Sequence, residues 1–128
     1  SGRSFLAKIA KEHKKAGEWS TSSPMHAVRH ELGHALQLDM SINDRYFDRR
    51  MTEIQAIFDE ANKEAVRDIS LLTNPTDSDI IKARAKKLSS YGLVDLKEFI
   101  SESVAEYQNG SPRATARSVV EILLKRYD

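Results

Sequence analysis

The stretch Ser23-Pro24-Met25-His26-Ala27-Val28-Arg29-His30-Glu31-Leu32-Gly33-His34-Ala35-Leu36-Gln37 decides how the rest of the chain is read. At its centre is an H-E-x-x-H run, His30 to His34. On a helix, four residues advance about 400° and about 6 Å, so the two imidazoles stack on one face. That spacing lets both rings bind one tetrahedral zinc, with Glu31 beside them to take a proton from water. The surroundings support a helix. Met25, Val28, Leu32, Ala35 and Leu36 recur at helical spacing, opposite the histidines. The expectation is that this stripe faces a core while the histidines face a site. Ser23-Pro24 supplies an N-cap and an N1 proline. Gly33 stands mid-helix, where glycine costs up to about 1 kcal/mol against alanine. That cost makes sense where something approaches the backbone closely.

Outward from the motif the chain reads as helices. The 128 residues suffice for one domain with one core. Ser4 to Ala16 forms a first helix on Phe5, Leu6, Ile9 and Ala10, ended by Gly17 as a C′ glycine. After the motif helix, Ser41-Ile42-Asn43 reads as a break. The longest helix then runs from Asp44 to about Leu72 on Phe47, Met51, Ile54, Phe58, Ala61, Ala65, Ile69 and Leu72. Asn74-Pro75 breaks it, and Thr76 or Asp77 caps a helix to about Ser89. Asp95 to Asn109 is the next, with Leu96, Phe99, Ile100, Val104 and Tyr107 on one face. Ser111-Pro112 starts the last, on Ala116, Val119, Val120, Leu123 and Leu124. No stretch alternates with period two. The predicted class is therefore mainly α, one compact domain of about six helices with little or no β-sheet.

Composition narrows the function. A formal net charge of +1 implies no general affinity for nucleic acid or an anionic membrane. No apolar run is long enough for a transmembrane helix. With no cysteine, a metal has only His, Asp and Glu to bind. Ser1-Gly2 reads as a remnant of tag removal, in which case the chain is a domain excised from a larger protein.

Two histidines leave a zinc short of the three protein ligands of a catalytic site. Glu98 and Glu102 are four apart on the Asp95–Asn109 helix, opposite its apolar stripe and beside Ala105. One can coordinate the metal while the other accepts the free N–H of a ligating histidine. His26, one turn before His30, is either a further ligand or a residue on the rim of the substrate site. Trp19 is a hydrophobic plug over the motif helix or a substrate contact. His13, flanked by lysines, reads as solvated.

The stretch from Tyr91 to Glu102 resembles the glutamate helix of lethal-factor-type zincins, which are gluzincins. The resemblance implies that Glu98 is the third zinc ligand and Glu102 the group behind a ligating histidine. It also implies that Tyr91, seven residues before Glu98, points at the reaction centre and stabilises the oxyanion. A wider resemblance joins Trp19 to Gln37 with Glu98-Phe99-Ile100-Ser101-Glu102-Ser103-Val104-Ala105-Glu106-Tyr107 and Ser111-Pro112-Arg113. Together these are similar to the zincin-like domain of phage minor head proteins. The implied activity is zinc-dependent peptide hydrolysis with Glu31 as general base, in a virion or the bacterial host cytoplasm. The implied partners are a polypeptide substrate and other phage head or portal proteins. The chain departs from that family before the motif, where Trp19 is followed by serines and a threonine. The family's N-terminal strand also has no counterpart here.

Three other classes keep the same ligands. One is a secreted toxin or effector metallopeptidase. A second is an intracellular zinc peptidase that cuts a repressor, in which the third ligand lies closer to the motif than Glu98 does. The third is a non-catalytic virion domain that zinc merely pins together.

Overall fold

A computed structural model describes residues 2–127, with side chains described from Phe5 to Arg126; Ser1, half of the suggested tag remnant, lies outside them. Among the described residues there are six α-helices and no strand: α1 (Gly2–Lys15), α2 (His26–Asn43), α3 (Phe47–Ser70), α4 (Asp77–Lys87), α5 (Leu96–Gln108) and α6 (Ala114–Leu124). A single 3-10 turn, Lys125–Tyr127, follows α6. The mainly α architecture is as the periodicity predicts. Among the described residues no helix is long and apolar enough to cross a membrane.

Helix α5 is the centre of the molecule. It packs against α2 on one side and α6 on the other, and α3 packs against α4 and α6. All eight residues from Phe99 to Glu106 are buried. A one-sided helix could not bury eight in a row, so the polar residues of this run are interior groups that need partners. The apolar core gathers Phe99, Ile100 and Val104 of α5 with Met40, Ile54, Ala61, Leu88, Ala116, Val119 and Leu123.

The local signals mostly act as expected. Asp95 caps α5 by accepting from Glu98 N, and Thr76 with Asp79 forms a capping box on α4. Gly17 adopts φ +78°, and a Cβ there would meet Ile81 Cγ2 at 2.9 Å. Two boundaries move. Helix α2 continues through Ser41-Ile42-Asn43 and stops only at Asp44, whose N–H still bonds Met40 O. None of those three residues removes a donor or forces the backbone out of the helical region, so nothing there breaks the ladder. At its start, Ser23 Oγ accepts from Met25 N and Ser23 O from His26 N. Pro24 thus lies in a preceding turn instead of at N1. Likewise α6 begins after Arg113, with no side-chain cap from Ser111.

The larger correction concerns which face of α2 points inward. Val28 is 45% and Leu32 51% exposed, and Met25 and Ala35 are exposed as well. The buried residues of α2 are His26, Gly33 and Met40. The face that carries the histidines is the face that packs, because α5 presents carboxylates and small residues to it. Of the α1 stripe only Ala10 is fully buried.

Gly33 is where α2 and α5 come closest. A Cβ on Gly33 would stand 2.7 Å from Ser101 Cα and 3.1 Å from Ser101 Oγ. Backbone cannot give way as a flexible side chain can, so only glycine fits. Gln37, one turn on, donates to Lys97 O and Ser101 Oγ across the same seam, both at 3.0 Å. At the other end of α5, Arg113 pairs with the buried Glu106 at 2.6 Å and donates to Leu88 O at 2.6 Å and Ala85 O at 2.9 Å. One guanidinium thus neutralises a buried carboxylate and satisfies carbonyls at the end of α4.

The close approach yields a sign test. On helix propensity alone Gly33→Ala should stabilise by about 1 kcal/mol. Overpacking against Ser101 should outweigh that, leaving a net loss of about 1–3 kcal/mol. Urea unfolding of the two proteins gives the sign; a more stable Gly33→Ala protein would rule out the contact.

Candidate metal centre

The site forms where α2 crosses α5. His30 and His34 sit one turn apart on α2 and Glu98 lies opposite on the first turn of α5. His30 Nε2 is 2.8 Å from Glu98 Oε2, His34 Nε2 is 3.0 Å from Glu98 Oε1, and the two Nε2 atoms are 3.1 Å apart. Two ring nitrogens and two carboxylate oxygens thus meet in one small volume. Such atoms gather stably only with a proton or a cation among them. Ligands about 2.0–2.1 Å from a tetrahedral zinc stand roughly 3.3 Å from one another. The observed separations are close to that, so the donor set fits a zinc ion in chemistry and in size.

Behind the triangle lies Glu102. It is fully buried. Its Oε2 is 2.7 Å from His30 Nδ1 and 2.6 Å from His26 Nε2, and its Oε1 accepts from Ser20 N at 2.9 Å. Burial pushes the Glu102 carboxyl up, but hydrogen bonds from His26, His30 and Ser89 bring it down to about 2. His30 balances the same way. Burial lowers its pKa, the bond and charge of Glu102 and the charge of Glu98 raise it further, and the net shift is upward. A carboxylate accepting from His30 Nδ1 leaves Nε2 as the ring atom that faces His34 and Glu98, free to take a metal. Glu98 on the triangle and Glu102 behind His30 is the order that the family resemblance implies.

A cavity of about 340 Å³ opens over the triangle, lined by Trp19, His26, Ala27, His30, Glu31, His34, Tyr91 and Glu98. Glu31 is exposed at its edge. Ligating atoms of Glu31, His30 and His34 all lie within 4.8 Å of one another. That separation suits a base that reaches a water over the histidines.

Three expectations change. His26 is not on an exposed rim. Its ring is fully buried, stacks on Trp19 at 4.6 Å and bonds Glu102 and Thr21. It is drawn inward because Glu102 needs donors and α2 turns this face to α5. Tyr91 does line the cavity, but its hydroxyl donates to Glu18 Oε2 at 2.5 Å, and this partner raises its pKa. Trp19 is both plug and wall, half-buried between His26 and His13, with the His13 ring stacked on it at 4.3 Å. His13 is accordingly packed and not merely solvated.

The residues missed by sequence reasoning are Glu18, Ser20 and Thr21. They sit in a polar link with no periodicity. Ser90 N→Gly17 O and Tyr91 N→Glu18 O bonds clasp that link to the turn before α5. Ser20 and Thr21 are thereby buried. No local sequence signal marks a buried serine and threonine in such a link.

The chain matches no protein-family model, no curated protein and no solved structure.

The two glutamates are expected to separate cleanly in metal-free protein. Glu102→Ala removes the common partner of His26, His30 and Ser20 from the interior. It should cost on the order of 3–5 kcal/mol, the range for breaking a buried charged pair. Glu98 is one-third exposed, and Glu98→Ala should leave the unfolding midpoint nearly unchanged. Denaturant titration of both variants after chelator treatment checks this; equal losses would mean that Glu98 is equally structural.

Proposed function

We propose that this domain is a zinc-dependent peptide hydrolase in which His30, His34 and Glu98 hold the metal. The observation that carries the reading is the convergence of His30 Nε2, His34 Nε2 and the Glu98 carboxylate to 2.8–3.1 Å, with Glu31 beside them at the cavity. Zinc in that position supplies Lewis acidity that polarises a peptide carbonyl and acidifies water. The protein's own groups do the rest. Glu31 takes the attacking water's proton and returns it to the leaving nitrogen. Glu102 holds His30 in orientation from behind. The cavity wall of Trp19 and Ala27 excludes water from one side.

Tyr91 lines the cavity, and to stabilise an oxyanion its bond to Glu18 must be exchanged for the substrate oxygen. The resemblance to phage minor head proteins makes phage structural polypeptides the first substrates to try. It is also the ground for a virion or host-cytoplasm setting.

Zinc titration followed by elemental analysis should give one ion per chain. Glu98→Ala should lose most of that affinity. Glu31→Gln should bind zinc as wild type does and show no cleavage of a diverse peptide library, while wild-type cleavage disappears with chelator. Zinc binding without any Glu31-dependent cleavage would leave a structural ion and end the hydrolase reading.

Tyr91→Phe separates two roles. If the hydroxyl serves the reaction, kcat falls while zinc affinity and melting temperature hold. A drop in melting temperature at constant kcat would make Tyr91 a brace for the Gly17–Thr21 link.

A further inference from the structure

Behind the metal triangle runs a hydrogen-bonded chain whose direction can be read from one end. It starts at Ser23 N–H, a backbone group that can only donate, and which donates to Thr21 Oγ1 at 3.3 Å. Thr21 Oγ1 is 2.8 Å from His26 Nδ1. Thr21 is 4% exposed, and among the described residues its hydroxyl proton has no other acceptor. With a neutral His26 ring, the hydroxyl therefore donates to Nδ1. That assignment puts the His26 proton on Nε2, which donates to Glu102 Oε2 at 2.6 Å. Glu102, already holding Ser20 N–H on Oε1, then accepts His30 Nδ1–H on Oε2 at 2.7 Å. What remains on His30 is the Nε2 lone pair, facing His34 and Glu98.

We propose that Thr21 and His26 are positioning residues that fix the tautomer of His30 through Glu102. The role rests on the metal-site reading above and extends it two residues beyond the groups that touch the metal. Every link is interior. His26 and Glu102 are fully buried, and the Trp19 ring lies over His26 at 4.6 Å with an interplanar angle of 18°. None of these rings can turn over without breaking a bond that water cannot replace. The function of the chain is to make the histidine arrive with the correct nitrogen bare.

The same side chains offer a rival interpretation. His26, His30 and Glu102 have the composition of a second metal site. Their geometry argues against one. Both ring nitrogens approach the single oxygen Glu102 Oε2, at 2.6 and 2.7 Å, distances at which a shared proton on each nitrogen is the ordinary arrangement.

The test reads tautomers directly. In ¹⁵N-labelled wild-type protein, zinc-free at a pH where imidazoles are neutral and again zinc-loaded, long-range ¹H–¹⁵N spectra should show His26 protonated on Nε2. His30 should be protonated on Nδ1. A His26 protonated on Nδ1 overturns the proposal without any variant being made. Thr21→Val, which keeps the shape and removes the donor, should weaken zinc binding about tenfold, the low end of the range for groups behind a ligand. It should also disturb the two tautomers, while Thr21→Ser restores both. A Thr21→Val protein that melts lower but keeps the tautomers and the zinc affinity would mark the chain as merely structural and sink the idea. Two zinc ions per chain, one lost on His26→Phe, would establish the rival metal site instead. If the wild type binds no zinc, the hydrolase reading fails alone, and the tautomers still decide whether the chain has the stated direction.

Discussion

A carboxylate without water must be surrounded by donors, and the donors around Glu102 come from distant parts of the chain. Ser20 lies in the link after α1, His26 and His30 on α2, and Glu102 itself on α5. An unpartnered charge at that depth would cost several kcal/mol. Folding therefore brings the link, the first two turns of α2 and the middle of α5 into one arrangement. The placement of the His30, His34 and Glu98 triangle follows. Once His30 is held from behind, the α-helical pitch sets His34 one turn on and the α5 pitch sets Glu98 one turn back.

This constraint explains the sidedness of α2. Ordinary amphipathic logic would turn Val28, Leu32 and Ala35 inward. The helix does the reverse along its first three turns, presenting His26, His30, Gly33 and Gln37 to α5. The inward face is polar but well satisfied, and Gly33 lets the backbones approach until those short bonds can form. Deeper apolar burial is supplied elsewhere, by Met40 at the end of α2 and by the cluster around Phe99 and Ile54. A row of apolar side chains is left on the outer surface of α2.

Order around the cavity comes from the clasp between residues 17–18 and 90–91. It brings Trp19 over His26 and sets Tyr91 against Glu18. The wall of the site is thus made from two irregular segments, each anchored by backbone bonds to the other. The polar contacts that run inward from this wall, through Thr21 and Ser20, reach the same carboxylate that orients His30.

The sequence by itself determined the helical class, the six helix positions to within about three residues, and the grouping of His30, Glu31 and His34. It could do so because those features depend on local spacing: the 3.6-residue repeat, the cap at Thr76, and the four-residue stagger of the motif. The four-residue spacing also put Glu98 and Glu102 on one face of α5, but a solvated acidic face has the same spacing, and their order about the histidines came from the family resemblance. Only the tertiary structure decided which face of α2 points inward, that His26 is buried, and that Ser20, Thr21 and Glu18 belong to the site. Those outcomes turn on which donors can reach one buried carboxylate. That depends on how distant segments meet, and a pattern read within one helix does not contain it.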